Sequence, residues 1–125
     1  MRIYVNNLPQ YNKEIKETAE RVINGEGLSG DLSITFVDDD IMSKLNKKYT
    51  GRNGTTDVLS FSFNIPELLG DIYISIEQAN RQKENDILHE LKLLTIHGIL
   101  HLAGYSDKEE IEINEIRKKE KVYLS

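Results

Sequence analysis

The sequence predicts an α+β fold: one four-stranded mixed sheet packed with helices, one of them buried at the centre. Three observations predict it. Four short stretches read as strands, the first two by the alternation of apolar residues and the third by its β-branched and aromatic residues. Other stretches repeat their apolar residues at three and four positions, as amphipathic helices do. One run, from Asp86 to about Ala103, is apolar nearly all round, the pattern of a helix with no face left for solvent. At 125 residues the chain suits one domain, expected to span 1–125.

In chain order, Arg2 to Asn6 puts Ile3 and Val5 on one face of a first strand, which Leu8-Pro9 ends. From Asn12 to Asn24 the apolar residues Ile15, Ala19, Val22 and Ile23 have helical spacing, and Asn24-Gly25 supplies a stop. Leu32, Ile34 and Phe36 alternate as a second strand. Asp38 or Asp39 caps a helix expected to carry Ile41, Leu45 and Tyr49 on its apolar side. The polar loop TGRNGT leads into TDVLSFSF, a third strand, and GDIYI reads as a fourth. Ser75 and Gln78 form a capping box for a helix through about Gln82. The buried helix follows, with Ile87, Leu91, Leu93, Leu94, Ile96, Ile99, Leu100 and Leu102, and Gly104 can end it in the left-handed conformation. Ser106 with Glu109 makes another capping box, opening a charged last helix.

Composition narrows the function. There is no cysteine, so there are no disulfides, which fits a reducing compartment. Any metal site must use His, Asp and Glu. No apolar run has membrane-spanning length, and MRIYVNNLPQ lacks the apolar core of a signal peptide; a soluble cytoplasmic protein is expected. The net charge of -5 excludes a general nucleic-acid coat protein, which would be basic. A nucleic-acid role needs a local basic patch or a metal.

Two of the three histidines, His97 and His101, stand four apart in the buried run. Such residues share a helix face, about 6 Å apart along the axis, and can aim at one ion. As core residues each would need partners for both ring nitrogens, whereas one metal serves both. The frame H-x3-H-x2-G-x2-D places Gly104 and Asp107 where the zincin frame H-E-x-x-H-x-x-G-x-x-H has its glycine and last ligand. Asp107 is therefore the candidate third ligand. The alternative is an acid in the first turn of the last helix, favoured by the helix dipole. Gly98 stands where the protease frame has its glutamate base, which argues against a metalloprotease. His89, about 80° round the helix from His97, reads as a surface or cap residue.

HGILHLAGY resembles the signature H-G-x-L-H-L-x-G-Y-D-H of the YbeY family of rRNA-maturation endoribonucleases. LNKKYTGRNGTTDVLSFSF and GDIYIS are similar to two further motifs of that family, in the same order. The resemblance implies a zincin-like fold and a zinc-dependent, single-strand-specific endoribonuclease. Its role would be in small-subunit rRNA 3′-end maturation and ribosome quality control. It implies one Zn2+ per chain on His97, His101 and, in the ungapped alignment, Asp107, with Ser106 at the family's aspartate. A one-residue slip would instead leave Lys108 in the ligand position. The family's arginine falls on Thr50, and Arg52 is the next basic residue. Arg52 is the catalytic candidate, and Arg52, Lys47 and Lys48 are the candidates for holding RNA phosphates. Thr56, Asp57 and Ser60 are placed along the cleft without a catalytic role, and RKKEK near the end is read as a solvated helix face. Expected partners are single-stranded rRNA and the ribosome or its small-subunit proteins, not DNA or a membrane. The alternative is a metal-stabilised ribosome-assembly factor with little or no catalysis.

Overall fold

A computed structural model describes residues 1–124. The elements are β1 (Ile3–Asn6), a 3-10 turn (Pro9–Tyr11), α1 (Asn12–Gly25), β2 (Asp31–Val37), α2 (Asp39–Thr50), β3 (Val58–Phe61), β4 (Leu68–Ser75), α3 (Ile76–Gln82), α4 (Ile87–Leu102) and α5 (Glu110–Leu124). Apart from the short 3-10 turn, this is the expected order. The strands form one mixed sheet in the order β1-β2-β4-β3. β1, β2 and β4 run parallel, and β3 pairs antiparallel to β4 at the edge.

Alternation assigns the faces. Leu32, Ile34 and Phe36 of β2 and Ile72 and Ile74 of β4 are buried against the helices. Ser33, Thr35, Asp71 and Tyr73 lie between them on the other face. α4 runs through the middle, in contact with α1, α3, α5, β3 and β4. None of its residues is exposed. Leu91, Ile96, Ile99 and Leu100 are fully buried, each contributing roughly 1.5–3 kcal/mol of transfer free energy. The core is thus built around the helix that carries both histidines of the frame. Among the described residues no helix is long and apolar enough to cross a membrane.

The caps follow side-chain chemistry. Asp38 Oδ1 accepts from Ile41 N at 2.9 Å and Ser75 Oγ from Gln78 N at 3.1 Å. At the head of α4, Asp86 Oδ1 accepts from His89 N at 2.8 Å, so His89 supplies a capped backbone amide. Asp38, rather than Asp39, is the cap of α2.

Two local expectations are corrected. The buried face of α2 is Met42 and Asn46, while Ile41 and Tyr49 are 46% and 54% exposed. The reason is polar. The Asn46 amide donates to Gly54 O at 3.0 Å and accepts from Thr50 Oγ1 at 2.7 Å, so a hydrogen-bonded asparagine takes an inward position. The capping box at Ser106 does not form either. α5 begins at Glu110, and Ser106 Oγ accepts from Lys108 N at 3.1 Å, closing a local turn ahead of the helix.

Candidate metal centre

α4 ends in a Schellman motif. Tyr105 N donates to Leu100 O and Gly104 N to His101 O, both at 3.1 Å, with Gly104 at φ 102°. This φ is the one glycine tolerates and other residues resist. The reversal sends the chain back past the helix end. Asp107 Oδ2 thereby comes to 3.7 Å from His101 Nε2. One turn earlier, His97 Nε2 lies 2.9 Å from His101 Nε2, and the ring centroids are 4.5 Å apart. Ligand atoms of His97, His101 and Asp107 all fall within 4.8 Å of one another. Asp107 lies three residues ahead of α5, outside its first turn, so the helix dipole does not account for its position.

This donor set fits a metal. Two imidazole nitrogens and a carboxylate are a three-ligand set of the kind that leaves zinc an open position. Two nitrogens at ~2.0–2.1 Å from a tetrahedral zinc stand about 3.3 Å apart, so the rings need open by only a few tenths of an ångström.

The electrostatics split the pair. Glu120 of α5, with Oε1 at 3.7 Å from His97 Nδ1, holds the His97 imidazole above its ordinary range against the opposing effect of burial. Burial, and then the neighbouring His97, push His101 below its ordinary range.

The histidines and Asp107 open into a cleft of about 440 Å³. Its other wall is the loop and edge strand from Thr50 to Ser60, including Arg52, Thr56, Asp57 and Ser60. Arg52 therefore lines the same cleft as His97 and His101. Lys47 and Lys48 do not. They border a separate shallow hollow with Ser43, Lys44, Asn53 and Gly54, and Lys47 Nζ donates to Asn53 Oδ1 at 3.0 Å. Thr50, at the family's arginine position, also donates to Asn46 O at 2.7 Å and accepts from Arg52 N at 3.2 Å. It braces the turn that carries Arg52.

The carboxylates near the cleft are engaged. Asp57 Oδ1 accepts from Val58 N, and Oδ2 from Gln82 Nε2 at 3.0 Å; the same Gln82 nitrogen reaches Glu90 Oε2 at 2.9 Å. Asp39 accepts from Thr55 and Ser75 hydroxyls and pairs with Arg81 at 2.7 Å. The Arg81 guanidinium is the chief reason its carboxyl is lowered to about 2. These bonds anchor the cleft loop to β4 and α3.

A second set anchors the opposite side. Glu26, just after α1, accepts from Tyr105 Oη at 2.8 Å and from Tyr123 Oη, and pairs with Lys119 at 3.3 Å. Burial raises its carboxyl, but the bonds from Tyr123, Tyr105 and Lys119 outweigh burial and leave it below the usual value. Tyr123 is pushed up to about 12 by burial and by Glu26. One carboxylate thus holds both the loop leading to Asp107 and the helix bearing Glu120. RKKEK is consequently not wholly solvated, since Lys119 and Glu120 both turn inward.

Gly98 sets the height of α4 above the sheet. Its carbonyl accepts from Ser60 Oγ at 3.0 Å. A Cβ on it would stand 3.1 Å from Ile72 side-chain atoms and from Ser60 Oγ. A glutamate here would point at the sheet, through space already filled.

Glu120, Glu26 and Asp39 were not among the sequence candidates. Glu120 had a readable signal: it falls one turn after Ile116, on the apolar stripe of its helix.

The family model described as Endoribonuclease YbeY matches residues 3–125. Endoribonuclease YbeY of Carboxydothermus hydrogenoformans is 38% identical over 117 residues, covering 89% of this chain and 82% of the relative. Endoribonuclease YbeY of Bacillus licheniformis is 34% identical over an alignment of 130 residues, covering 90% and 82%. Among solved structures, the solution structure of TM1509 from Thermotoga maritima is similar with a TM-score of 0.69 and 29% identity, covering 98% of this chain and 86% of that one.

Proposed function

The chain belongs to the endoribonuclease YbeY family, and on that premise we propose that it is a zinc-dependent, single-strand-specific endoribonuclease. The observation that carries this reading is the convergence of His97, His101 and Asp107 at the wall of a cleft whose opposite rim presents Arg52. The whole chain, 1–125, acts as one such domain. Its place is the cytoplasm and its substrate is small-subunit rRNA, in 3′-end maturation and ribosome quality control.

Held by His97, His101 and Asp107, a zinc ion would supply an acidified water and polarise a phosphoryl oxygen. The chain's own groups do the rest. His97 and His101 offer neutral Nε2 atoms, and Asp107 adds a carboxylate. With an ion held there, that carboxylate would leave the site one charge less positive than a third histidine would. Arg52 holds a phosphate with its forked donors and orients the scissile bond. Lys47 and Lys48, on the far side of the loop, guide the strand outside the cleft. Asp57 is committed to Val58 N and Gln82, so it does not serve as a base. A single strand can bend into the cleft, whereas a duplex holds its backbone in a regular helix.

The test is cleavage of single-stranded RNA by purified protein. Slow cleavage lost both in chelator and in His97→Ala is expected, with duplex RNA and casein left intact. Cleavage that survives both treatments sinks the reading. The assembly-factor alternative draws support from the exposed apolar residues Phe63, Ile65 and Leu68 around the β3–β4 connection, a surface suited to a protein partner. Bound zinc with no cleavage of purified RNA or ribosomes would favour it.

A further inference from the structure

α5 is a charged helix with one face turned inward. Ile116 on that face is 2% exposed. Glu120 lies one turn on, and its side chain is only 13% exposed. A carboxylate held largely out of water costs free energy unless it is paired. Its facing group is His97 Nδ1, at 3.7 Å, an ion-pair distance from which a modest side-chain rotation reaches hydrogen-bond length.

The helix phase is held from several sides. Lys119 and Tyr123, which flank Glu120 in sequence, are both tied to Glu26. Arg21 Nη2 donates to Tyr123 O at 2.8 Å, fastening α5 to α1. Gly25 leaves room for the Tyr123 ring, which any Cβ at that position would strike. Glu120 is therefore aimed at His97 by a scaffold whose residues do not line the cleft.

We propose that Glu120 is the positioning residue of the metal site: it accepts from His97 Nδ1–H and so fixes the tautomer and ring orientation that present Nε2 as a lone pair. This rests on the reading of His97 as a ligand. The contact between the histidines agrees with it. If His97 carries its proton on Nδ1, its Nε2 is an acceptor, and His101 Nε2–H donates across the 2.9 Å gap. In the metal-bound protein the same tautomer leaves His97 Nε2 free to ligate. Metal-bound histidines generally donate their second N–H in this way, and losing the acceptor costs about 10–100-fold in metal affinity.

The experiment compares wild type, Glu120→Gln, Glu120→Leu and His97→Ala. Three measurements are made: zinc affinity by chelator competition, thermal unfolding of the metal-free protein, and 15N NMR of the imidazoles above the histidine titration range. Leucine completes an apolar stripe, so the metal-free Glu120→Leu protein should melt no lower than wild type. It should nonetheless bind zinc about 10–100-fold more weakly. Its His97 signal should shift from protonated Nδ1 toward protonated Nε2. Glutamine keeps an accepting oxygen, so its loss should be smaller than that of leucine and the tautomer should hold. Glu120→Leu with zinc affinity within about twofold of wild type overturns the proposal while His97→Ala still loses zinc. So does an unchanged tautomer, or a loss of affinity matched by a loss of metal-free stability. If His97→Ala itself binds zinc normally, the ligand reading has failed, and the proposal falls with it.

Discussion

α4 and α5 lie side by side and contribute to one site in opposite ways. α4 is apolar nearly all round and none of its residues is exposed, and of its three histidines His97 and His101 face a cleft. α5 is charged, mostly solvated, and has one buried isoleucine. In α4 the functional groups stand out because the environment is uniform. In α5 an inward carboxylate is hidden among the outward ones. Removing a ligand from α4 should therefore change what the protein can bind, whereas changes on α5 should alter how well.

The largest effect is expected from His97→Ala or His101→Ala. Either should abolish tight zinc binding, a greater loss than the roughly 10–100-fold that removal of an outer partner costs. Chelator competition measures it, and near-normal affinity in both variants would break the contrast at its strong end. Next comes the loop between the helices. Asp107→Ala should weaken zinc without abolishing it, and Asp107→His should move the rise of cleavage rate to lower pH, because a neutral ligand leaves more positive charge on the ion. If Asp107→Ala keeps full affinity, the carboxylate is a bystander and the alternative register with Lys108 regains interest.

A subtler effect concerns the metal-free histidines, whose shifts oppose each other. The raised pKa of His97 adds stability that is present below the ordinary imidazole value and lost as pH rises through the raised one. The lowered pKa of His101 means that stability falls as pH drops from the ordinary value toward the lowered one. The metal-free protein should thus be most stable near the ordinary imidazole pKa of ~6.5. Melting temperatures between about pH 5 and 8 should show that maximum. A steady trend across the range would mean that the pair does not titrate in opposite senses.

The smallest expected effects concern RNA. Arg52→Ala should weaken binding and reduce its salt dependence by about one counterion. Lys47→Ala should do less, since that lysine lies outside the cleft, and Lys118→Ala, on the exposed side of α5, should do least. Equal effects from Arg52→Ala and Lys118→Ala would show that the binding face lies over α5 instead.

Much of this was legible in the sequence, for reasons that differ by residue. α4 declared itself because burial on every side leaves an apolar run few alternatives. His97, His101 and Asp107 were legible because helix geometry and a glycine turn convert spacing into proximity. Asn46 misled because apolar periodicity counts a polar residue as outward, and its hydrogen bonds to the loop cannot be read from spacing. Ser106 misled because a matching capping box was satisfied by a local turn instead. Glu26 was out of reach, as its partners Tyr105, Lys119 and Tyr123 come from the far end of the chain. Proximity in sequence grouped Lys47 and Lys48 with Arg52 as candidates for holding phosphates, yet they border a separate hollow, beyond the helix end and the turn at Gly51.

The tight seat of Gly98 also bears on how this frame can evolve. Glycine and glutamate are neighbours in the genetic code, and a single exchange at position 98 would complete the H-E-x-x-H part of the protease motif on paper. Here that step aims a carboxylate at Ile72, which has no exposed surface, with Ser60 on its other side. A Cβ at position 98 would already crowd Ile72 and Ser60 at 3.1 Å, so such an intermediate should be destabilised, and a steric barrier separates two chemistries whose motifs differ little. A folded Gly98→Glu protein that still bound zinc would show that the barrier can be crossed; without prior movement of α4 away from the edge strand, no such protein is expected.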